Sequence, residues 1–381
     1  MGKRELLLVA AFILVGAGVY QVTAPPHDPS RPRWSVGGIV ESIRREVRGN
    51  QAQATAKIPS TIPAPPSVRE LRIKVGSVNV VIVGEERDDI QAELDVTSNA
   101  YDEAEAERTA KATKLKVDAS GPMITLSVDF PREGRQRADL TLKIPARLEL
   151  RVEKNSELTV ANAAAVTVTG RGDTTLTGIP GPVNATQRGS TITLTDIGSL
   201  KLTTLSGAEA KLSDVKGDVT LSLQGGELHA EALAGSLEIE SRNCDITLEK
   251  IEKVRQTRIN AVNGEIVARD VQTELRIDGR EADIRVEQTA PAPLSIYNDG
   301  NETVDLELPA GGLKIDARTI DGRLTVDDAL AKRGVKVETS GSEGGESGST
   351  REEQHVEAVV AGGGPLITIR AQRGDISLRS K

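Results

Sequence analysis

Aromatic side chains are almost absent from this 381-residue chain: two Phe, one Trp and three Tyr make 2% of it. Single-stranded nucleic-acid binding leans on stacking aromatics, and sugar-binding platforms use exposed Trp or Tyr, so the composition argues against both. A net charge of −8 disfavours nucleic acid further. Cysteine is nearly missing too. Cys244 stands alone inside a strand pattern and can form no internal disulfide. It reads as a small core or corner residue, with a reactive thiol as the alternative. His27, His229 and His355 fall in a spacer, a strand and a polar loop, and form no triad or metal cluster. The Gly-Gly-x-Gly-x-Asp repeat of calcium-binding β-rolls is missing. The Gly/Ser-rich stretch 343–349 lacks the Gly-Lys-Ser/Thr of a phosphate loop. No catalytic, cofactor-binding or metal-binding residue is therefore assigned.

What the chain has in abundance is aliphatic residues in phase. Leu176, Leu194, Leu212, Ala230 and Leu248 stand 18 apart, and Ile179, Ile197, Val215, Leu233 and Ile251 follow them at the same interval. Ile192, Ala210, Leu228 and Ile246 form a third column, after which the frame slips by two to Ile266, Ala268 and Val271. Within one repeat, Ile192 and Leu194 alternate with Thr191, Thr193 and Thr195, and Leu200 and Leu202 alternate with Lys201 and Thr203. Period two puts the aliphatic residues on one face of a strand and Thr and Lys on the other. Gly198 between the runs marks a turn. The expectation is an all-β, β-helix-like solenoid of 18-residue coils, each with two short strands. At roughly 4.8 Å per rung, five to seven coils would make a rod about 25–35 Å long. A β-sandwich of regular hairpins is the competing architecture. Its loop lengths would drift, which the constant phase argues against.

The N-terminus has Lys3, Arg4 and an apolar run over 6–20, a basic segment followed by a hydrophobic one. Residues 1–23 read as a signal-anchor or a cleaved signal peptide, so the body is expected outside the cytoplasm, with the membrane contacted through residues 6–20. Residues 24–67, with Pro59, Pro63, Pro65 and Pro66 among them, read as a Pro-rich juxtamembrane tether. Within it, 34–48 could form a short amphipathic helix on an anionic membrane surface. Residues 1–66 carry eight Lys/Arg against four Asp/Glu, so the rest of the chain is acidic. The folded body is expected over 68–381, with one short helix at 101–114 and a flexible polar loop at 339–354.

These residues together resemble a bacterial putative-adhesin family, a domain of unknown function built of β-strand repeats. The resemblance rests on the extended pair 71–83, on Asp139-Leu-Thr-Leu-Lys-Ile-Pro-Ala-Arg-Leu-Glu-Leu-Arg-Val leading into the repeats, and on Ile367 to Leu378, which closes in Gly-Asp-Ile-x-Leu. It covers 68–381 and implies a surface or envelope role, with no catalytic residue to carry over. The expected function is a membrane-tethered, non-enzymatic envelope scaffold or adhesin-like surface, using no cofactor. The expected partner is an unidentified envelope protein or polysaccharide. Two alternatives stand beside it: a polysaccharide lyase or hydrolase on a β-helix, and a polymer-forming solenoid. For the enzyme, Asp196 and Asp214 share a column, and Asp270 takes the equivalent place beyond Ala232 and Lys250. Stacked carboxylates would raise a pKa or bind a cation, whereas a turn Asp ahead of each corner needs no chemistry.

Overall fold

The computed structural model describes residues 52–132, 135–251, 253–343 and 350–381. The chain falls into two compact units. The larger comprises 57–95, 114–129 and 138–381, and among the described residues it is built of two parallel ladders.

The first ladder runs through Met123–Asp129, Glu70–Lys74, Glu149–Asn155, Ala165–Arg171, 183–188, 199–205, 219–224, 234–242, 253–262, 275–280, Leu294–Asp299, Leu366–Gln372 and Leu313–Ile320. The second runs through 138–145, Val78–Glu85, Leu158–Ala161, 174–179, 191–197, Ala208–Val215, 226–231, 244–249, 264–271, 282–288, Val304–Leu308, Ile376–Ser380 and Leu324–Val326. Thirteen rungs in each give a stack of about 58 Å at ~4.8 Å per step, so the expectation of five to seven coils falls short. The shortfall arises because the flanking strands, outside the 18-residue phase, stack on the same ladders.

The columns themselves match. Leu176 pairs with Leu194, Leu194 with Leu212, Leu212 with Ala230, and Ala230 with Leu248. The slip of two is real: Ile246 faces Ile266 and Leu248 faces Ala268. All of these side chains are buried. No single coil could bury its own aliphatic face, so stacking supplies the hydrophobic stabilisation.

Both ends of the ladders are interleaved. Glu70–Lys74 lies between Met123–Asp129 and Glu149–Asn155, although it precedes both in sequence. At the other end Leu366–Gln372 is inserted between Leu294–Asp299 and Leu313–Ile320, and Ile376–Ser380 between Val304–Leu308 and Leu324–Val326. Antiparallel strands finish the first ladder at each end: Lys114–Ser120 on Met123–Asp129, and Thr350–Val360 on Leu313–Ile320.

Three sequence expectations need correction. Within the supposed tether, Ala52–Pro63 is a strand paired with Asp89–Ala100. Its inner positions are Ala, Ile and Ser, too weakly apolar to stand out, and Pro59 and Pro63 fall on the exposed alternation where an edge strand tolerates them. Residues 24–51 and the apolar run 6–20 lie outside the described residues. Within the expected loop 339–354, residues 339–343 and 350–354 are strand, Glu338–Glu343 pairing antiparallel with Thr350–Val360, while 344–349 lie outside the described residues. Finally, two helices rather than one occur among the described residues. Helix α1 is Glu103–Ala112, and α2 is Asp328–Lys332, capped by Asp327 and too short for periodicity to reveal.

Among the described residues the smaller unit comprises 52–56, 96–113 and 130–137. In it Asp102 caps α1 by accepting the Glu105 N–H at 2.8 Å, and buried Ser98 and Thr109 share a 2.5 Å hydroxyl hydrogen bond.

Candidate interaction surface

Period two along each rung sends every second side chain of the first ladder outward, and parallel register lines these up across coils. One outer column is Ser222, Glu240, Asn260, Asp278 and Tyr297. Its neighbour is Gln224, Arg242, Val262, Arg280 and Asp299. The two columns line a cleft of about 680 Å³ across five rungs. Tyr297 is 41% exposed, and its hydroxyl accepts a hydrogen bond from Gln372 Nε2 at 3.2 Å. Asp278 is held by Arg276 at 2.9 Å, with Arg258 at 4.0 Å. Among the described residues, Gln224, Glu240, Arg242, Asn260, Arg280 and Asp299 carry no side-chain hydrogen bond or ion pair. Charges also pair between rungs on the second ladder's outer face, as Arg269 with Glu249 at 2.7 Å and Arg285 with Asp305 at 3.6 Å.

A second cleft, about 710 Å³, is lined on the same ladder by Lys74, Arg151, Glu153, Asn155, Thr167 and Thr169. Beside it lies Lys154, whose side chain points into the solenoid. Its Nζ donates to the carbonyls of Ser156, Arg171, Gly172 and Asp173 at 2.6–3.1 Å. Burial pulls the ammonium down to about 8, while Asp173 and Glu157 oppose that by favouring the charge. On the next rung Gly170 faces Lys154, and a Cβ there would run into the Lys154 carbonyl. The same inward corner column continues with Gln187, whose Nε2 donates to Gly172 and Gly189, and with Thr319, which donates to Gly374. These polar residues satisfy corner carbonyls that no strand reaches.

The three Asp residues singled out from sequence occupy one corner. Asp196, Asp214, Ala232, Lys250 and Asp270 all adopt φ between 52° and 55°, and each precedes a buried plug: Ile197, Val215, Leu233, Ile251 and Val271. Asp enters that left-handed conformation more readily than most residues. The column is thus one of turn geometry, and Asp196 pairs with Lys216. Other Asp residues tie coil to coil. Asp173 accepts the Thr191 N–H, Asp245 that of Glu265, Asp283 that of Thr303 and Asp375 that of Arg323, at 2.8–3.0 Å. Asp218 accepts the Ser236 N–H, which with Arg255 holds its carboxyl below the usual range.

Cys244 is buried, and burial, then Asp245 and Glu227, push its thiol up to about 11. It is a core residue rather than a nucleophile. His229 lies on the second ladder between Lys211 and Thr247, His355 lies 3.4 Å from Glu338, and His27 is outside the described residues. Among the described residues no three His, Cys, Asp or Glu side chains are grouped to hold a metal ion, and no helix is long and apolar enough to cross a membrane. The cleft residues Glu240, Arg242, Asn260, Arg280 and Tyr297 carry no motif. Only alignment of the rungs, with steps of 18 to 20 residues, brings them into columns.

The Toastrack DUF4097 family profile matches residues 68–379. A solved "putative cell adhesion protein" from Clostridium sporogenes is 11% identical, covering 86% of this chain and 100% of that one at a TM-score of 0.22. A "putative lipid binding protein" from Parabacteroides distasonis is 15% identical, covering 68% and 98% at a TM-score of 0.34. A "putative adhesin" from Parabacteroides merdae is 12% identical, covering 68% and 97% at 0.25. No curated protein matches the chain.

Proposed function

The chain belongs to the Toastrack DUF4097 family, and on that premise we propose that it is an exported, membrane-tethered, non-enzymatic scaffold presenting an adhesin-like interaction surface at the cell envelope. The observation that carries this reading is the first ladder's cleft, where six polar side chains stand without partners among the described residues on a stack of paired rungs. The stacked strands fix the backbone spacing of these groups, so binding has to order the side chains but not the chain that carries them. Export rests on Lys3, Arg4 and the apolar run 6–20. A reporter enzyme active only outside the cytoplasm, fused after Lys381, should be active, and deletion of residues 1–24 should silence it. Activity that survives the deletion would remove export from the reading.

The same cleft supports a second reading, a carbohydrate-active enzyme, because Glu240, Asp278 and Asp299 all line it. Glu240 and Asp278 stand two rungs apart, about 10 Å, near the upper end of the carboxyl separation in inverting glycosidases. Against this, Asp278 is already engaged by Arg276 and Arg258. Release of reducing ends from a polysaccharide, abolished by Glu240→Gln, would favour the enzyme.

A further inference from the structure

We propose that the cleft over residues 222–299 binds a neutral polysaccharide lying across the rungs. The inference rests on the interaction-surface reading above and names its partner. Each residue class in the cleft narrows the ligand. Glu240 and Asp299 balance Arg242 and Arg280, and Asp278 is already paired with Arg276 and Arg258, so the cleft has no net charge to draw in a polyanion. Val262 and Tyr297 are the apolar contacts within two otherwise polar outer columns, which leaves little for a lipid chain to cover. Carboxylates accept only, guanidinium groups donate only, and Gln224 and Asn260 do both. A ligand that satisfies such a mixture must donate and accept at closely spaced points, as the hydroxyls of a sugar do.

Tyr297 supplies the remaining element. In a chain with 2% aromatic residues, a Tyr 41% exposed stands in the outer column that lines this cleft. A phenol ring offers an apolar face for a sugar ring while its hydroxyl stays hydrogen-bonded, here to Gln372. Five rungs span about 19 Å, long enough for several sugar units, and the parallel register sets the outward side chains one rung apart along that length. The composition therefore argued against a sugar platform on numbers alone, whereas one aromatic residue suffices when the fold places it at the cleft.

The test uses the full chain in detergent and affinity electrophoresis in gels containing neutral polysaccharides: α- and β-linked glucans, mannans and galactans, with alginate as the anionic control. Retardation by at least one neutral polymer is expected. Tyr297→Ala should weaken it about ten-fold and Asn260→Ala several-fold, while Thr193→Ala on the second ladder should leave it unchanged. Both cleft substitutions are at surface positions, and unchanged melting will confirm that the variants fold. Retardation by no neutral polymer, by alginate alone, or equally in Tyr297→Ala would overturn the proposal. So would capture of an unstructured peptide that competes with the sugar and depends on the same residues. None of these results touches export or envelope attachment, which the reporter fusion reads separately.

Discussion

At the residue scale, the solenoid distinguishes sharply between inward and outward positions. Leu212 lies between Leu194 and Ala230 in the core, whereas Thr193 faces outward on the neighbouring rung. Leu212→Asp would bury a charge with no partner and should cost several kcal/mol, about 4 or more. Thr193→Asp should cost under about 1 kcal/mol. Equal shifts in melting temperature would show that the register is misassigned. The corner column gives a subtler case. Ala232 holds φ 52° without the side-chain help that Asp has, at a penalty of roughly 1–2 kcal/mol. Ala232→Gly removes that strain against an entropic cost of roughly 0.5–1 kcal/mol, so its stability should match or slightly exceed the parent's; a clear loss would rule out strain there. Lys154 is the residue with a pH signature. Its folded pKa, about 8, lies below the ordinary value of 10.5. Between those two values the unfolded chain binds more protons, so this group's contribution to stability grows as pH rises from 8 towards 10.5. In urea titrations the stability of the parent relative to Lys154→Met should rise from pH 7.5 to pH 10. A constant difference would show that burial does not depress the ammonium.

At the element scale, the decisive feature is the inserted last coil. The chain ends in Leu366–Gln372 and Ile376–Ser380, yet both strands are flanked by parallel neighbours on each side. Ile367, Ile369, Ile376 and Leu378 are buried there, each worth roughly 1.5–3 kcal/mol in apolar burial. Asp375 adds a tie to the Arg323 N–H, and Gly374 leaves room for the Glu302 carbonyl, which a Cβ would strike. This gives the closing Gly-Asp-Ile-x-Leu string a physical meaning: close approach, a coil-to-coil hydrogen bond, then alternation into the core. Chain termini usually fray. Here the amides of 366–372 should instead be among the slowest to exchange in native-state hydrogen exchange. Deleting 366–381 should unfold 313–326 as well, because those strands dock on the inserted coil. Rapid exchange at the C-terminus would contradict the interleaved order.

At the scale of the whole molecule, the question is where the folded body starts. Strand Ala52–Pro63 carries backbone pairing to Asp89–Ala100, and Lys57 adds salt bridges to Glu93 at 2.8 Å and Asp95 at 3.4 Å. Exposed pairs of this kind add little stability, so protection should come from the strand itself. Limited proteolysis should leave residues 52–63 within the resistant product. A product beginning near residue 68 would show that this strand opens readily.

The aliphatic columns were legible in the sequence because stacking repeats the same burial at the same position in every coil. Leu176 through Leu248 could be placed against one another from spacing alone, and the slip at Ile266 was visible as a two-residue offset. Four things belonged to tertiary structure. The flanking strands keep no constant interval, so only their pairing extends the ladders to thirteen rungs. The interleaved ends reverse chain order, which no local pattern encodes. The spacing of the corner Asp residues fitted either stacked carboxylates or turn positions, and their backbone angles match the turn. The cleft was hidden for the opposite reason: outward residues are under no packing constraint, so Glu240, Arg242, Asn260, Arg280 and Tyr297 share no repeating chemistry, and only the register of successive rungs makes them neighbours.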